Sequence, residues 1–487
     1  MSRAIDIRNA QKGMRLKELA ESVGLRESLR DFGRVLLISC YEMGHQPLGA
    51  AAAMGALRAA GLAPDALDLA VDDFDEEKVR RARFIGISAP MHTALRLGAQ
   101  AAARIRSLNP DCHICFFGLY ASLNAEYLLR EAADSCIGGN YEGPLVALVE
   151  ALDRGSGGAI ADVQRAGSIA APSLNRPPSA APQRDLLPPL DRYAQLDDNG
   201  VLRTAGYVEA SRGCLHLCRH CPIPSVYGGR YFVAPREIVL EDVRRQAAAG
   251  AKHITFGDPD FLNGPQHSIR IVEEMHQEFP ELTFDCTIKI EHVVERPALF
   301  PRLRAAGCVF VVSAVESLSE HVLTILDKGH TRADVLEAIE ILSDAGIAIR
   351  PTWVPFTPWT TLADYLDLFS FIDERDLVDH VDPAQYTIRL LLPPGSLLIE
   401  HEAMRPYLGA LDQAVFSYSW THPDPRMDRL QRDAADLIEE AAESGEDPAE
   451  TFYRLWRLAA AIGNRPVPHR TPRARKRVPR LTEPWFC

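Results

Sequence analysis

The chain has no membrane-length apolar run, no basic excess and no cysteine triplet outside one short stretch, and each absence removes a class of protein. Nowhere do the roughly 18 consecutive apolar residues of a membrane-crossing helix occur. The first residues, Met1-Ser-Arg-Ala-Ile-Asp6, lack the charged and apolar regions of a secretory signal. The formal net charge of −13 argues against a general nucleic-acid binder, which needs a net basic face. The ten cysteines are scattered apart from one triplet, as in a reduced protein and unlike a disulfide scaffold. The expected compartment is the cytoplasm, with neither membrane nor nucleic acid as partner. What is present is apolar content, 47% of 487 residues, ample for two or three domains.

The informative stretch is Ser211-Arg-Gly-Cys-Leu-His-Leu-Cys-Arg-His-Cys221. Its cysteines, Cys214, Cys218 and Cys221, have Cys-x3-Cys-x2-Cys spacing directly after an apolar run, Gly206-Tyr-Val-Glu-Ala210. Thiolates this close on one loop can hold a single iron–sulfur cluster. A four-iron cluster held by three thiolates leaves one iron open to a substrate or cofactor. The competing reading is a zinc knuckle. Structural zinc normally takes four protein ligands, and no second cysteine pair lies nearby.

On these residues the chain resembles the radical S-adenosylmethionine (SAM) superfamily, with His220 in the slot usually held by an aromatic residue. The resemblance implies a [4Fe–4S] cluster whose open iron chelates SAM. It also implies reductive cleavage of a carbon–sulfur bond and a small-molecule substrate. The expected electron donor is a flavodoxin or ferredoxin.

Residues 1–33 read as a charged helical lead-in. From 34 to 154, short apolar strands such as Val35–Cys40 and Phe84–Ser88 alternate with helical stretches such as Ala50–Gly61. That alternation predicts a parallel sheet covered on both faces. It resembles the Rossmann-like cobalamin-binding domain that precedes many radical SAM cores, with Ser88–Pro90, Phe117–Tyr120 and Gly138–Gly143 as its corrin-facing loops. Cobalamin is the third cofactor this likeness implies. The axial Asp-x-His-x-x-Gly motif is missing, however. The first loop reads Tyr41-Glu-Met-Gly-His-Gln-Pro47, so His45 and His92 are the candidate substitutes and occupancy stays open. A Pro- and Gly-rich linker is expected over 155–195.

Residues 196–398 alternate again and predict a partial (β/α)6 barrel with its site at the strands' carboxyl ends. The likeness makes five residues candidates for holding SAM. Asp258 and Asp260, in Gly257-Asp-Pro-Asp260, stand where the family carries a Gly-Gly-Glu-like segment. Lys289 lies at the carboxyl end or on the inner face of the third strand, Phe284–Ile290, and Glu316 lies in Ala314–Ser317, into which the fourth, Val309–Ser313, leads. Arg350 lies on the fifth and is expected to reach the SAM carboxylate; Gln385–Leu392 is the expected sixth strand. A helical region over 399–463 and a basic, flexible tail over 464–487 complete the α/β plan.

The ending, Leu481-Thr-Glu-Pro-Trp-Phe-Cys487, resembles the tail of the CUAEP/CCAEP radical SAM (seleno)proteins, with translation stopped at a UGA selenocysteine codon. Cys487 would then be a substrate-handling thiol suited to a soft acceptor such as trivalent arsenic or selenium. Transfer of the 3-amino-3-carboxypropyl group of SAM is the reaction this suggests. Cobalamin-dependent radical methylation and a non-catalytic iron–sulfur or metalloid carrier are the alternatives.

Overall fold

The computed structural model describes residues 28–156, 158–168, 170–176, 180–467 and 478–483. Most of the predicted lead-in, and Cys487, lie outside the described residues. Among the described residues no helix is long and apolar enough to cross a membrane.

Five short strands, β1 (Val35–Ser39), β2 (Asp65–Asp68), β3 (Phe84–Ser88), β4 (His113–Phe117) and β5 (Ser135–Ile137), form a parallel sheet. Its order is β2-β1-β3-β4-β5. Nearly every strand residue is buried because helices cover both faces, which is why these segments read as unbroken apolar runs. The order reverses between β1 and β3, the place where open sheets of this kind bind ligands. Here the chain fills part of that place itself. The Glu42 carboxylate accepts from the backbone amides of Leu48 (3.1 Å) and Gly49 (3.2 Å) at the start of the helix Leu48–Ala59. Gly49 admits the approach of Ser88 Oγ from the neighbouring loop, where a Cβ would collide.

Burial raises the Glu42 carboxyl to about 7, against the lowering effect of the Gly49 amide and Arg184. A carboxyl raised in the folded state contributes stability that is complete below its ordinary pKa of about 4.3 and is lost as pH rises through about 7. Glu42→Gln is therefore expected to match the native chain in thermal stability at pH 5. At pH 8.5 it should exceed it by on the order of 1–3 kcal/mol. Thermal melts at the two pH values check this; equal stabilities at pH 8.5 would contradict it.

The second sheet has seven strands in the order β13-β12-β11-β10-β7-β6-β16. They are β6 (Gln195–Asp198), β7 (Val201–Val208), β10 (His253–Phe256), β11 (Thr283–Thr287), β12 (Cys308–Glu316), β13 (Ala348–Trp353) and β16 (Arg480–Leu481). From β7 through β13 the pairing is parallel, and β6 and β16 extend the β7 edge antiparallel. A separate small ribbon pairs β8 (Ser211–Gly213) with β9 (Tyr231–Val233). Val208, Ile254, Phe256, Phe284, Cys286, Val311, Ile349 and Trp353 join the large core beneath the helices. The alternate positions face the concave side.

Four expectations are corrected. The sixth barrel strand is not a ladder: 383–387 is a 3₁₀ turn, and only the bridge Phe356–Arg389 remains. The physical reason is local. The Trp353 amide is taken by the Gln385 side chain (3.0 Å) and the Tyr386 carbonyl by the Tyr365 hydroxyl (2.9 Å), so side chains satisfy groups a ladder would use. Residues 399–463 are not wholly helical, since an antiparallel hairpin, β14 (Leu408–Asp412) and β15 (Ser417–Trp420), precedes the helices Pro425–Ser444 and Pro448–Ile462. The linker packs instead of hanging free: Cys136 bridges Gln164, and Gly139 bridges Ser173. Similarly, Arg480–Leu481 of the expected flexible tail is a sheet-edge strand.

Candidate active site

The cysteine loop leaves β8 through Gly213, whose φ of +76° and close approach to the Arg230 carbonyl admit no side chain. Cys214 and Cys218 are buried, and the Cys221 amide donates to the Cys218 carbonyl (3.2 Å), folding the loop on itself. Burial pushes the Cys221 thiol up to about 12. Such a thiol stays protonated at neutral pH unless iron displaces its proton.

Two strand ends and a helix hold this loop. From β10, Asp258 accepts from the Ala210 amide (2.9 Å) and the Ser211 hydroxyl (2.5 Å). Burial raises its carboxyl to about 7 against those bonds. Just beyond, the Asn263 side chain donates to Cys214 Sγ (3.6 Å) and accepts from the Leu215 amide (3.4 Å). At the end of β12, Glu316 sits at φ +66°, a conformation a glutamate adopts only when its surroundings fix it. Its Oε1 lies 3.1 Å from His220 Nε2 and 3.2 Å from Lys328 Nζ. Burial raises the Glu316 carboxyl, but Lys328 and His220 outweigh it and hold the group near 2. Arg219 then clamps the loop to the helix Glu320–Leu326 through the carbonyls of Thr324 (3.1 Å) and Ile325 (2.8 Å).

Below the loop the concave face is polar at one level and apolar beside it. Register aligns Tyr207, Thr255, Asp285, Phe310 and Ala348 across the five parallel strands. Asp285 is engaged by Thr255 Oγ1 (2.6 Å) and His253 Nε2 (2.8 Å). One level nearer the strand ends, Thr287, Val312 and Arg350 are aligned. Arg350 Nη2 pairs with Asp382 Oδ2 at 2.6 Å, while its Nη1 is buried without a partner.

The five candidate SAM-holding residues therefore separate. Glu316 meets the cysteine loop through His220. Arg350 lies on the concave face with one free donor. Asp258 is spent on fixing the loop backbone. Asp260 faces His216 and His292. Lys289 is not on the strand, which ends at Thr287; it precedes the helix Ile290–Glu295 and binds Glu291 at 2.9 Å. Sequence reading missed Asn263, His292 and the site role of Lys328, because the first two lie in segments that read as ordinary turn and helix. The pattern Asp-Lys-Gly-His330 was the one signal for Lys328.

The three cysteines, two buried and Cys221 half-buried on one loop near the Lys328 ammonium, fit a cluster with an open iron. The first sheet offers a corrin less. His45 is buried in a stack on Tyr207 (4.5 Å between centroids), and burial lowers it to about 4. His92 Nε2 is bonded to the Val415 carbonyl (2.6 Å). Gly118 and Gly139 admit protein carbonyls, those of Ala89 and Ser173. Neither histidine is placed as an axial ligand.

Residues 208–368 match the radical SAM superfamily, and this part of the chain is a radical SAM domain. The chain is 25% identical over 333 residues to an uncharacterized methyltransferase of Pyrococcus horikoshii, covering 65% of this chain and 68% of that protein. Its fold is similar to that of the radical SAM methyltransferase TsrM of Kitasatospora setae (TM-score 0.61, 18% identity, 75% of each chain). It is also similar to the cobalamin-dependent radical SAM enzyme OxsB (TM-score 0.66, 16% identity, 84% of this chain and 67% of that one). Against other relatives the match is shorter: the chain spans 40% of a putative methylthiotransferase of Methanocaldococcus jannaschii. The family whose model residues 208–368 match uses a [4Fe–4S] cluster and SAM.

Proposed function

We propose that Cys214, Cys218 and Cys221 hold a [4Fe–4S] cluster and that the chain cleaves SAM reductively to modify a small molecule bound on the concave face. The observation that carries this reading is the convergence of the cysteine loop, Glu316 and Lys328 at the strands' carboxyl ends. When bound, the cluster supplies the electron that breaks a carbon–sulfur bond of SAM. The protein's own residues position and enclose. His220 and Arg219 fix the loop, and Glu316 and Lys328 set a buried charge pair beside it. The free Nη1 of Arg350 is a donor suited to a carboxylate of SAM or substrate. Asp258 acts at one remove, by holding Ala210 and Ser211.

A second reading, cobalamin-dependent methyl transfer, is favoured by the fold likeness to TsrM and OxsB. Transfer of an aminocarboxypropyl group to a soft acceptor rests on the tail. Glu483 packs at Gly44 and bonds the Tyr41 hydroxyl (3.0 Å), and Cys487 is four residues further along the sequence.

The fate of SAM tests all three. Anaerobically reconstituted, dithionite-reduced enzyme is incubated with SAM, with and without arsenite, and the products are read by mass spectrometry. 5′-Deoxyadenosine is the expected product of hydrogen abstraction. S-adenosylhomocysteine together with corrinoid absorbance of the purified protein would select methyl transfer, and methylthioadenosine the carboxypropyl reaction. A full cluster with no SAM cleavage would overturn the enzyme reading and leave the carrier.

A further inference from the structure

Beside the cysteine loop two histidines and one aspartate converge. His216 comes from the loop itself, Asp260 from the turn after β10, and His292 from the helix Ile290–Glu295. His292 Nδ1 lies 2.7 Å from Asp260 Oδ2, and His216 Nε2 lies 3.5 Å from the same oxygen. The two rings are 4.9 Å apart between centroids and inclined at 61°. All three ligand atoms fall within 4.8 Å of one another.

These atoms stand at ion-pair distance, but His216 Nε2, His292 Nδ1 and Asp260 Oδ2 are buried and make no aligned hydrogen bond. Asp260 is 0% exposed and His292 6%. One cation between them would engage all three ligand atoms together. Ligands about 2.0–2.1 Å from a common centre stand roughly 2.8–3.4 Å from their neighbours in octahedral or tetrahedral arrangement. The observed 2.7 and 3.5 Å bracket that range.

The surroundings are those of a built site. Metal-bound histidine usually gives its other nitrogen to a carboxylate, and His216 Nδ1 is 3.5 Å from Glu291 Oε2. Glu291 is itself fixed by Lys289 Nζ at 2.9 Å. The second oxygen of Asp260 accepts from the Leu262 amide at 3.2 Å.

We propose that His216, Asp260 and His292 bind a divalent transition-metal ion, distinct from the iron–sulfur cluster and next to it. Two imidazoles and one carboxylate suit zinc or ferrous iron, and three protein ligands leave positions open for water or a substrate atom. Glu291 orients His216, and Lys289 orients Glu291. Asp260 and Lys289 thereby acquire a role other than holding SAM.

Because His216 lies between Cys214 and Cys218, the test separates this site from the cluster. The full chain carrying Cys214→Ala, Cys218→Ala and Cys221→Ala is stripped with chelator and titrated with cobalt(II). A single equivalent should bind, with visible d–d bands that zinc abolishes. His292→Ala or Asp260→Asn in the same background should weaken binding by more than about 100-fold, and Glu291→Gln by about 10-fold. No bands from a variant with native circular dichroism would overturn the proposal, as would binding indifferent to His292→Ala and Asp260→Asn. Should the triple variant fail to fold, metal analysis of the reconstituted native chain decides. His292→Ala should then lose one zinc per chain with its cluster iron unchanged; equal zinc in both proteins sinks the site.

Discussion

Cys218→Ala is expected to leave the chain folded but without a reducible cluster, and to lower SAM cleavage by more than about 100-fold. Changing an outer-shell partner of a metal ligand typically costs 10–100-fold, so removing a ligand costs more. Cys218 is buried at the centre of the loop, and no other described cysteine lies on that loop beyond Cys214 and Cys221. Folding should survive because the loop is tethered elsewhere, by Asp258 to Ser211 and by Arg219 to the helix Glu320–Leu326. The readouts are iron per chain, the electron paramagnetic resonance of the reduced cluster, and 5′-deoxyadenosine or methylthioadenosine formed. Glu316→Gln is the contrasting arm. It removes the charge opposite Lys328 and His220 while leaving all three thiols, so iron content should hold while SAM turnover falls by roughly 10–100-fold. Native cleavage by Cys218→Ala would remove the proposed cluster reading.

Arg184→Met is expected to be the most destabilising single change away from that loop. Arg184 leaves the Pro-rich segment between the two sheets and is nearly enclosed, its side chain 8% exposed. Its guanidinium makes two bonds of 2.9 Å to Asp242 on the helix Arg236–Ala248 and one of 2.8 Å to the Tyr207 carbonyl on β7. It also lies 3.4 Å from the Gln46 carbonyl in the first loop. One side chain thus joins three separate parts of the chain. Removing it strands the Asp242 carboxylate, 3% exposed, and an uncompensated buried charge costs about 3–5 kcal/mol. Arg184→Met with Asp242→Leu should recover most of that loss, since replacing both partners of a buried pair by apolar groups is often near neutral. Urea midpoints of the single and double variants measure the difference. A single variant within about 1 kcal/mol of native would show that the pair contributes little.

The parts of this protein legible in the sequence are those whose signal is local. Cys214, Cys218 and Cys221 announce themselves by spacing on one loop. The buried parallel strands Phe84–Ser88 and His113–Phe117 announce themselves as apolar runs bounded by turns. Glu316 was legible from the stretch that runs from Glu316-Ser317 to Asp327-Lys-Gly-His330, although its left-handed backbone and its pairing with Lys328 were not.

What the sequence left undetermined depends on groups brought together from far along the chain. Whether Gln385–Leu392 would pair as a sixth strand turned on the Gln385 side chain capturing the Trp353 amide, 32 residues away. Whether Asp258 and Asp260 would share one job turned on neighbours from β8 and from the helix at His292, which draw the two carboxylates to different partners. His45 read as a loop histidine, and only the docking of the first loop against β7 turned it onto Tyr207. Local pattern fixes which segments become strands and which loop carries the thiols, since period and spacing act within a few residues. The partners of a buried charge are chosen by packing over the whole chain, because a desolvated carboxylate must find compensation wherever the fold places it.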